Sequence, residues 1–389
     1  MRMEGALVAI TREELGRRIG ALRQRRGWSQ MQLAEALDVA QSAVSRIESG
    51  ERSVDSIELA HIADLLRVSV LDLLADEEAT DDLGIAARVE EQRSPAALDV
   101  ALARVRELLR FDRLLDDLGA RGGARPTPPS PSWLAARSSK DQGKKLAQWL
   151  RKELGLGDGP ITDLPDLVED ELGLDVALEP LPDGLAGLCV VKGGSCLALV
   201  DSSAVVGRQR FTLAHEIAHL LAGDPEPVLV DEQLFSRSPV EVQANSFAAH
   251  FLMPEAGLKR AIKNRTVDGR VAAELLYEFG VSMDALAWQL LNLGLLSEAR
   301  RRSLLASSPK ALAFQHGYVS HWQAGEQQRN VVRPPLRLVR RGFDAYRNGL
   351  IGVEPLANLF RMDDADWLRR ELEAVGVAPE DWVEDTAEI

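Results

Sequence analysis

The sequence is short of cysteine, of positive charge and of long apolar runs. Two cysteines in 389 residues, Cys189 and Cys196, provide no disulfide framework. They flank Val-Val-Lys-Gly-Gly-Ser, which reads as a hairpin turning at Gly193-Gly194, so Cys196 should face Val191 rather than Cys189. Both are expected to be buried free thiols of a reducing compartment. No apolar run is long enough for a bilayer, and Met1-Arg-Met-Glu-Gly5 does not open a secretion signal. A soluble cytoplasmic protein with no membrane partner is therefore expected. Lys plus Arg total 46 against 60 Asp plus Glu, a formal net charge of -14. That disfavours indiscriminate nucleic-acid binding by the whole chain and leaves room for a local basic face. What is present is globular: 46% hydrophobic, 27% charged, and a length that suits two to four domains.

The apolar helical run Phe211 to Gly223 contains His215-Glu216-Ile217-Ala218-His219. Residues four apart share a helix face, so His215 and His219 can aim two imidazoles at one point, with Glu216 beside it. Two neutral imidazoles suit Zn²⁺, and a third protein ligand would leave one position for water. The metal lowers that water's pKa to about 7, and Glu216 can take its proton as it attacks a carbonyl. The next candidate helix starts at Val240 and stops at Pro254, and in it Glu241 and Asn245 again share a face. Glu241 reads as the third ligand, although a helix-start acid favoured by the macrodipole is the plainer role for such a residue. Asn245, one turn later, can accept the far N–H of a ligating histidine and fix its tautomer. His250 lies about 2.5 turns after Glu241 and should not share its face; it reads as a packed or surface histidine. His61, His316 and His321 have no ligand spacing.

Residues 11–75 are helical in period. Thr11 and Glu14 have the spacing of a capping box, and Leu15, Ile19 and Leu22 form an apolar face. After Ser29, a plausible cap, Leu33, Ala34 and Leu37 face inward. A short turn at Asp38–Ala40 leads to a second helix with Val44 and Ile47 inward. Gln41, Ser42, Ser45 and Arg46 are left outward, as a helix-turn-helix reader requires. Gln can read adenine and Arg guanine, while Gln30 and the arginines between 17 and 26 could hold phosphates.

Both motifs resemble known families. Ser29-Gln30 through Leu33-Ala34, Val44-Ser45-Arg46-Ile47-Glu48 and Gly50, continuing into Leu59-Ala60, resembles the XRE/Cro-type repressor domain, with Asp38 where a small residue is usual. Phe211-Thr-Leu-Ala-His-Glu-Ile-Ala-His-Leu-Leu221, followed by Glu241, Ala244-Asn245, Phe247-Ala248-Ala249 and Leu252-Met253-Pro254, resembles the ImmA/IrrE metallopeptidases. The second resemblance covers about residues 138–255. It implies zinc on His215, His219 and Glu241, with Glu216 as general base. It also implies cleavage of a DNA-binding repressor in a stress, DNA-damage or mobile-element response.

The expected fold is mainly α with a small β-sheet, α+β overall. The organisation read from the chain is a helix-turn-helix domain over 11–75, a helical connector over 76–118, and a Gly/Pro-rich linker over 119–137 as the clearest boundary. A zincin-like metallopeptidase domain over 138–255 follows, then a second helix-turn-helix-like region over 256–306 whose Leu and Trp content suits packing rather than DNA reading. A helical C-terminal region with an acidic tail fills 307–389. Strands are expected at Leu174–Leu178, Leu188–Lys192 and Ser195–Asp201, and helices at Ser139–Leu154 and Leu164–Leu172. The functional expectation is a DNA-binding regulator with a zinc endopeptidase, one Zn²⁺ per chain. Its partners would be operator DNA, a repressor substrate and a second copy of itself. The rival expectation is a non-cutting transcription factor, or an antitoxin-like protein, whose zinc fold is a sensor or structural body.

Overall fold

The computed structural model describes residues 11–25, 28–37, 39–66, 70, 73, 95–120, 140–192, 195–222, 228–231 and 238–379. The expected Gly/Pro linker beyond residue 120, the turn residue Asp38, the Gly193-Gly194 turn and the acidic tail lie outside them. The chain divides into two compact units, residues 1–84 and 85–389.

The first unit is helical. Helices α1 (Arg12–Arg25), α2 (Gln30–Ala36), α3 (Gln41–Glu48) and α4 (Ser56–Leu65) enclose a core that includes Ile19, Leu33, Ala34, Val44, Ile47 and Ile62. Ser29 caps α2 in a reciprocal capping box with Gln32, which satisfies two amide N–H groups at the helix start. Helix α1 runs against the end of α3 at Gly16, where an added Cβ would sit 2.1 Å from the Ile47 carbonyl oxygen.

The second unit is built on a four-stranded sheet in the order β1-β3-β2-β4, with β1 Leu174–Glu179, β2 Gly187–Lys192, β3 Ser195–Asp201 and β4 Val228–Asp231. Strands β1 and β3 are parallel; β2 is antiparallel to β3 and to β4. The three expected strands are present within a residue of their predicted ends, and β4 escaped the sequence reading. Val191 pairs with Cys196 and Cys189 with Ala198, and both cysteines are buried free thiols.

Alternation along the strands gives the sheet two buried faces. Leu174, Val176, Cys189, Cys196, Ala198 and Val200 join the main core on one side. This face is covered by α8 (Val206–Ala222), where Thr212 lies over Gly187. Behind α8 stand α9 (Pro239–Leu252) and α6 (Lys140–Glu153), the latter packed along α9. Helix α7 (Leu164–Leu172) leads into β1 through Gly173, whose φ of 63° is the left-handed conformation that ends a helix. Helices α10 (Glu255–Ile262), α11 (Gly269–Phe279), α12 (Met283–Asn292), α13 (Glu298–Leu305) and α14 (Pro309–His316) extend the same core. The α11–turn–α12 segment points Met283, Leu286, Ala287 and Leu290 into it. Helix α15 (Val319–Gln327) lies at the surface with no buried residue.

The opposite sheet face carries buried acids. Asp175 and Glu179 alternate with Ala177, and arginines from distant parts of the chain meet them. Arg104 on α5 (Pro95–Asp117) bonds Glu179 at 2.7 Å, and Arg361 reaches its other oxygen at 2.8 Å. Arg337 on α16 (Leu336–Arg347) forks onto Asp175 at 2.9 and 2.7 Å and also reaches Asp112 of α5. Helices α17 (Glu354–Leu359) and α18 (Ala365–Ala374) complete a small satellite core with Tyr346 and Phe111. Helix α5 lies within the expected 76–118 connector. Helix α5 belongs to the second unit because its charged side chains are neutralised there, on the back of the sheet.

Candidate metal centre and helix-turn-helix face

Helix α8 buries nearly its whole circumference from Thr212 to His219, so the two histidines leave water with the helix. His215 is fully buried and His219 nearly so, while the Glu241 side chain on α9 retains 26% exposure. Their donor atoms converge: His215 Nε2 to His219 Nε2 is 3.0 Å, His215 Nε2 to Glu241 Oε2 is 3.1 Å, and His219 Nε2 to Glu241 Oε1 is 3.6 Å. Around a tetrahedral ion with bonds of about 2.0–2.1 Å, two ligand atoms stand about 3.3–3.4 Å apart. The three separations bracket that edge length, so the donors fit such an ion. Among the described residues these three form the one cluster of this kind.

Asn245, one turn beyond Glu241, places Oδ1 3.2 Å from His215 Nδ1. An amide oxygen only accepts, so Nδ1 carries a proton, and in the neutral ring Nε2 is then the nitrogen left to hold a metal. Burial pushes the Glu241 carboxyl up; the hydrogen bond from His215 and the charge of the two imidazoles outweigh it and hold the carboxyl below its ordinary value. Glu216 is fully buried on the same helix. Its negative charge reinforces burial in raising the Cys189 thiol well above normal. His250 stands on the far side of α9, 7% exposed, with Nδ1 accepting from Gln289 Nε2 at 3.2 Å. It is a packed histidine.

In the first unit, α3 leaves Gln41, Ser42 and Arg46 at the surface and Ser45 half-buried, while Val44 and Ile47 are inside. Gln30 is less free than its sequence suggested. Its Nε2 donates to Glu48 at 2.8 Å and its Oε1 accepts from Gln41 at 2.7 Å. Two arginines read as possible phosphate contacts are corrected. Arg23 is 6% exposed and holds Glu48 at 2.6 and 3.0 Å; Arg18 is 5% exposed and pairs with Glu14 and the Leu73 carbonyl. Arg23 thereby ties α1 to the end of α3, and Arg18 ties α1 to the Leu73 carbonyl.

Comparison with protein-family models matches residues 14–76 to a helix-turn-helix domain and residues 169–291 to the IrrE N-terminal-like domain of the M78 peptidases. The chain joins a helix-turn-helix domain to an IrrE-like domain. No curated protein matches it. Solved structures with some likeness include PlcR of Bacillus thuringiensis in complex with the peptide PapR7 and DNA, at 15% identity over 94% of this chain and 99% of that one, with a TM-score of 0.17. Apo ComR of Streptococcus vestibularis matches at 12% identity over 94% and 99%, with a TM-score of 0.16. ComR of Streptococcus suis matches at 13% identity over 94% and 89%, with a TM-score of 0.17. TM-scores this low establish no shared fold.

The match to the IrrE-like domain takes in both histidines, Glu216, Glu241 and Asn245. It leaves α5, α6 and α16 outside, although all three pack on that domain. Among the described residues no helix is long and apolar enough to cross a membrane. At the sheet edges, β1 is sealed by an antiparallel bridge between Leu178 and Arg333, with N–H···O distances of 2.8 and 2.9 Å. Strand β4 runs beside α8 and, among the described residues, pairs on one side only. Sequence reasoning missed β4 because four residues between irregular segments carry too short a period to register.

Proposed function

We propose that the protein is a DNA-binding transcriptional regulator whose IrrE-like domain is a zinc endopeptidase, and that its substrate is a DNA-binding repressor. The observation that carries this reading is the convergence of His215, His219 and Glu241 at tetrahedral spacing, next to a buried Glu216. These three residues would hold one Zn²⁺ per chain. A purely structural zinc site has no use for the glutamate and is usually closed by four protein ligands.

Zinc, when bound, polarises the scissile carbonyl and lowers the pKa of a water to about 7. Glu216 would serve as the general base, taking a proton from the attacking water and passing it to the leaving amine nitrogen as the C–N bond breaks. Asn245 keeps His215 in the tautomer that presents Nε2. The edge of β4, unpaired among the described residues, offers backbone donors and acceptors to an extended substrate strand, while the strapped edge of β1 does not. In the helix-turn-helix domain, Gln41, Ser42, Ser45 and Arg46 face the bases of an operator, with Gln30 held between Gln41 and Glu48 at the edge of that face. A palindromic operator would be read by a dimer. The setting implied by the family is a bacterial stress, DNA-damage or mobile-element response.

The test compares intact cells carrying wild type with cells carrying Glu216→Ala, before and after DNA damage, by mass spectrometry of new protein N-termini. Glu216→Ala should retain zinc and lose cleavage, so a cut repressor appears with wild type alone. Identical N-termini in the two strains, with the same genes still bound and regulated, would leave a transcription factor that cuts nothing.

A further inference from the structure

The third ligand stands on a helix that another helix holds in place. On α9, Glu241 and Asn245 lie on one side, and Gln243, Ser246, Phe247 and His250 lie about half a turn round on the other. Helix α6 packs along that second side. The closest approach is at Gly143, where an added Cβ would stand 2.2 Å from the Gln243 carbonyl oxygen, 2.8 Å from the Phe247 nitrogen and 2.9 Å from Ser246 Cβ. Two of these three atoms are backbone, so no side chain can swing aside. Ser246 Oγ donates to the Lys140 carbonyl at 2.7 Å, and Arg151 Nη1 holds the Phe251 carbonyl at the far end of α9. Bonds to α9 thus come from near both ends of α6, and Gly143 meets α9 at the turn that carries Glu241 and Asn245.

Resting on the metal reading above, we infer that Gly143 is a positioning residue: α6, brought within contact of α9 by the missing side chain, sets the reach of Glu241 toward the two histidines. The physical reason is tolerance. A metal site accepts ligand distances within about 0.2 Å, whereas relieving a 2.2 Å contact with a backbone oxygen takes roughly 1 Å of helix movement. Packed helices transmit that movement because the interior is close-packed. An isolated glycine in a helical pattern is the sequence sign of such an approach, and it stands here in Lys140-Asp-Gln-Gly143-Lys-Lys145.

The experiment measures zinc affinity by chelator competition, and the cobalt(II) absorption spectrum, on the full chain of wild type, G143A, S246A and G257A. G257A is the control. An added Cβ there meets the Asp158 carbonyl oxygen, also at 2.2 Å, and so overpacks a contact that does not involve α9. G143A should weaken zinc about tenfold or more and change the cobalt spectrum, as loss of a supporting contact does elsewhere. G257A, at a comparable loss of Tm, should leave both readouts near wild type. S246A removes the bond to Lys140 without adding volume, and about threefold weaker zinc is expected; it decides the matter if G143A does not fold. Wild type that binds neither metal overturns the metal reading and this inference together. Wild type that binds zinc, with G143A or its substitute S246A equal to it, overturns the positioning role alone.

Discussion

Individual residues in the second unit owe their chemistry to what surrounds them. His250 shows this most directly. Burial, reinforced by the Lys144 and Lys140 ammonium groups and opposed by Glu255, pushes its pKa down to about 4 from an ordinary 6.5. The unfolded chain therefore takes up a proton at this position between pH 6.5 and 4 and the folded chain does not. Stability from this group is complete above pH 6.5 and falls as pH drops toward 4, below which both states are protonated and the slope ends. His250→Gln keeps an acceptor for Gln289 and removes the titration. Its Tm should decline less steeply than that of wild type from pH 6.5 to 4.5; parallel declines in thermal melts would rule out His250 as a source of acid lability. Glu241 and Asn245, on the other side of the same helix, belong to the proposed metal centre.

At the scale of elements, α3 and α9 have the same design: one face buried, the other carrying the residues of the proposed function. In α3 the buried face is Val44 and Ile47, and the outer face includes Arg46. Under the proposed DNA-reading role, Arg46→Ala should weaken operator binding by about 1–3 kcal/mol and relax preference at one base position, measured by anisotropy at fixed salt. Equal loss on every sequence would make Arg46 a phosphate contact instead. The short patterns that define these helices were legible in the sequence, as was the Ser29 cap of α2. The function of Arg18 and Arg23 was not. A basic helix end reads as a phosphate-binding surface until the fold turns those two side chains inward against Glu14 and Glu48.

For the molecule as a whole, the back of the sheet decides what is one unit and what is two. Arg104 is 3% exposed, and besides Glu179 it bonds the carbonyls of Asn358 and Leu359 at 3.2 and 2.9 Å. One side chain thus ties α5, β1 and α17, which are 75 and more than 250 residues apart. Arg104→Ala leaves the fully buried Glu179 with Arg361, itself 46% exposed, as its remaining ionic partner. Removing one partner of a buried pair costs about 3–5 kcal/mol. Calorimetry should show the transition of the second unit lowered and that of residues 1–84 unchanged. An unchanged second transition would mean that the back layer adds nothing to that unit's stability.

The sequence by itself determined whatever depends on local spacing. Four-residue intervals put His215 with His219 and Glu241 with Asn245, alternation marked β1 to β3, and turn and cap residues marked the helix-turn-helix. Tertiary structure alone decided whatever depends on charges and surfaces that meet across long stretches of chain. It brought Glu241 to the histidines at 3.1 and 3.6 Å, folded Arg23 onto Glu48, and drew Arg104 and Arg337 over the sheet to neutralise Glu179 and Asp175. Periodicity tells a side chain which face of its own element it occupies. Only packing supplies the partner on the other side, because burial makes an uncompensated charge costly and so selects which distant segment must come to it.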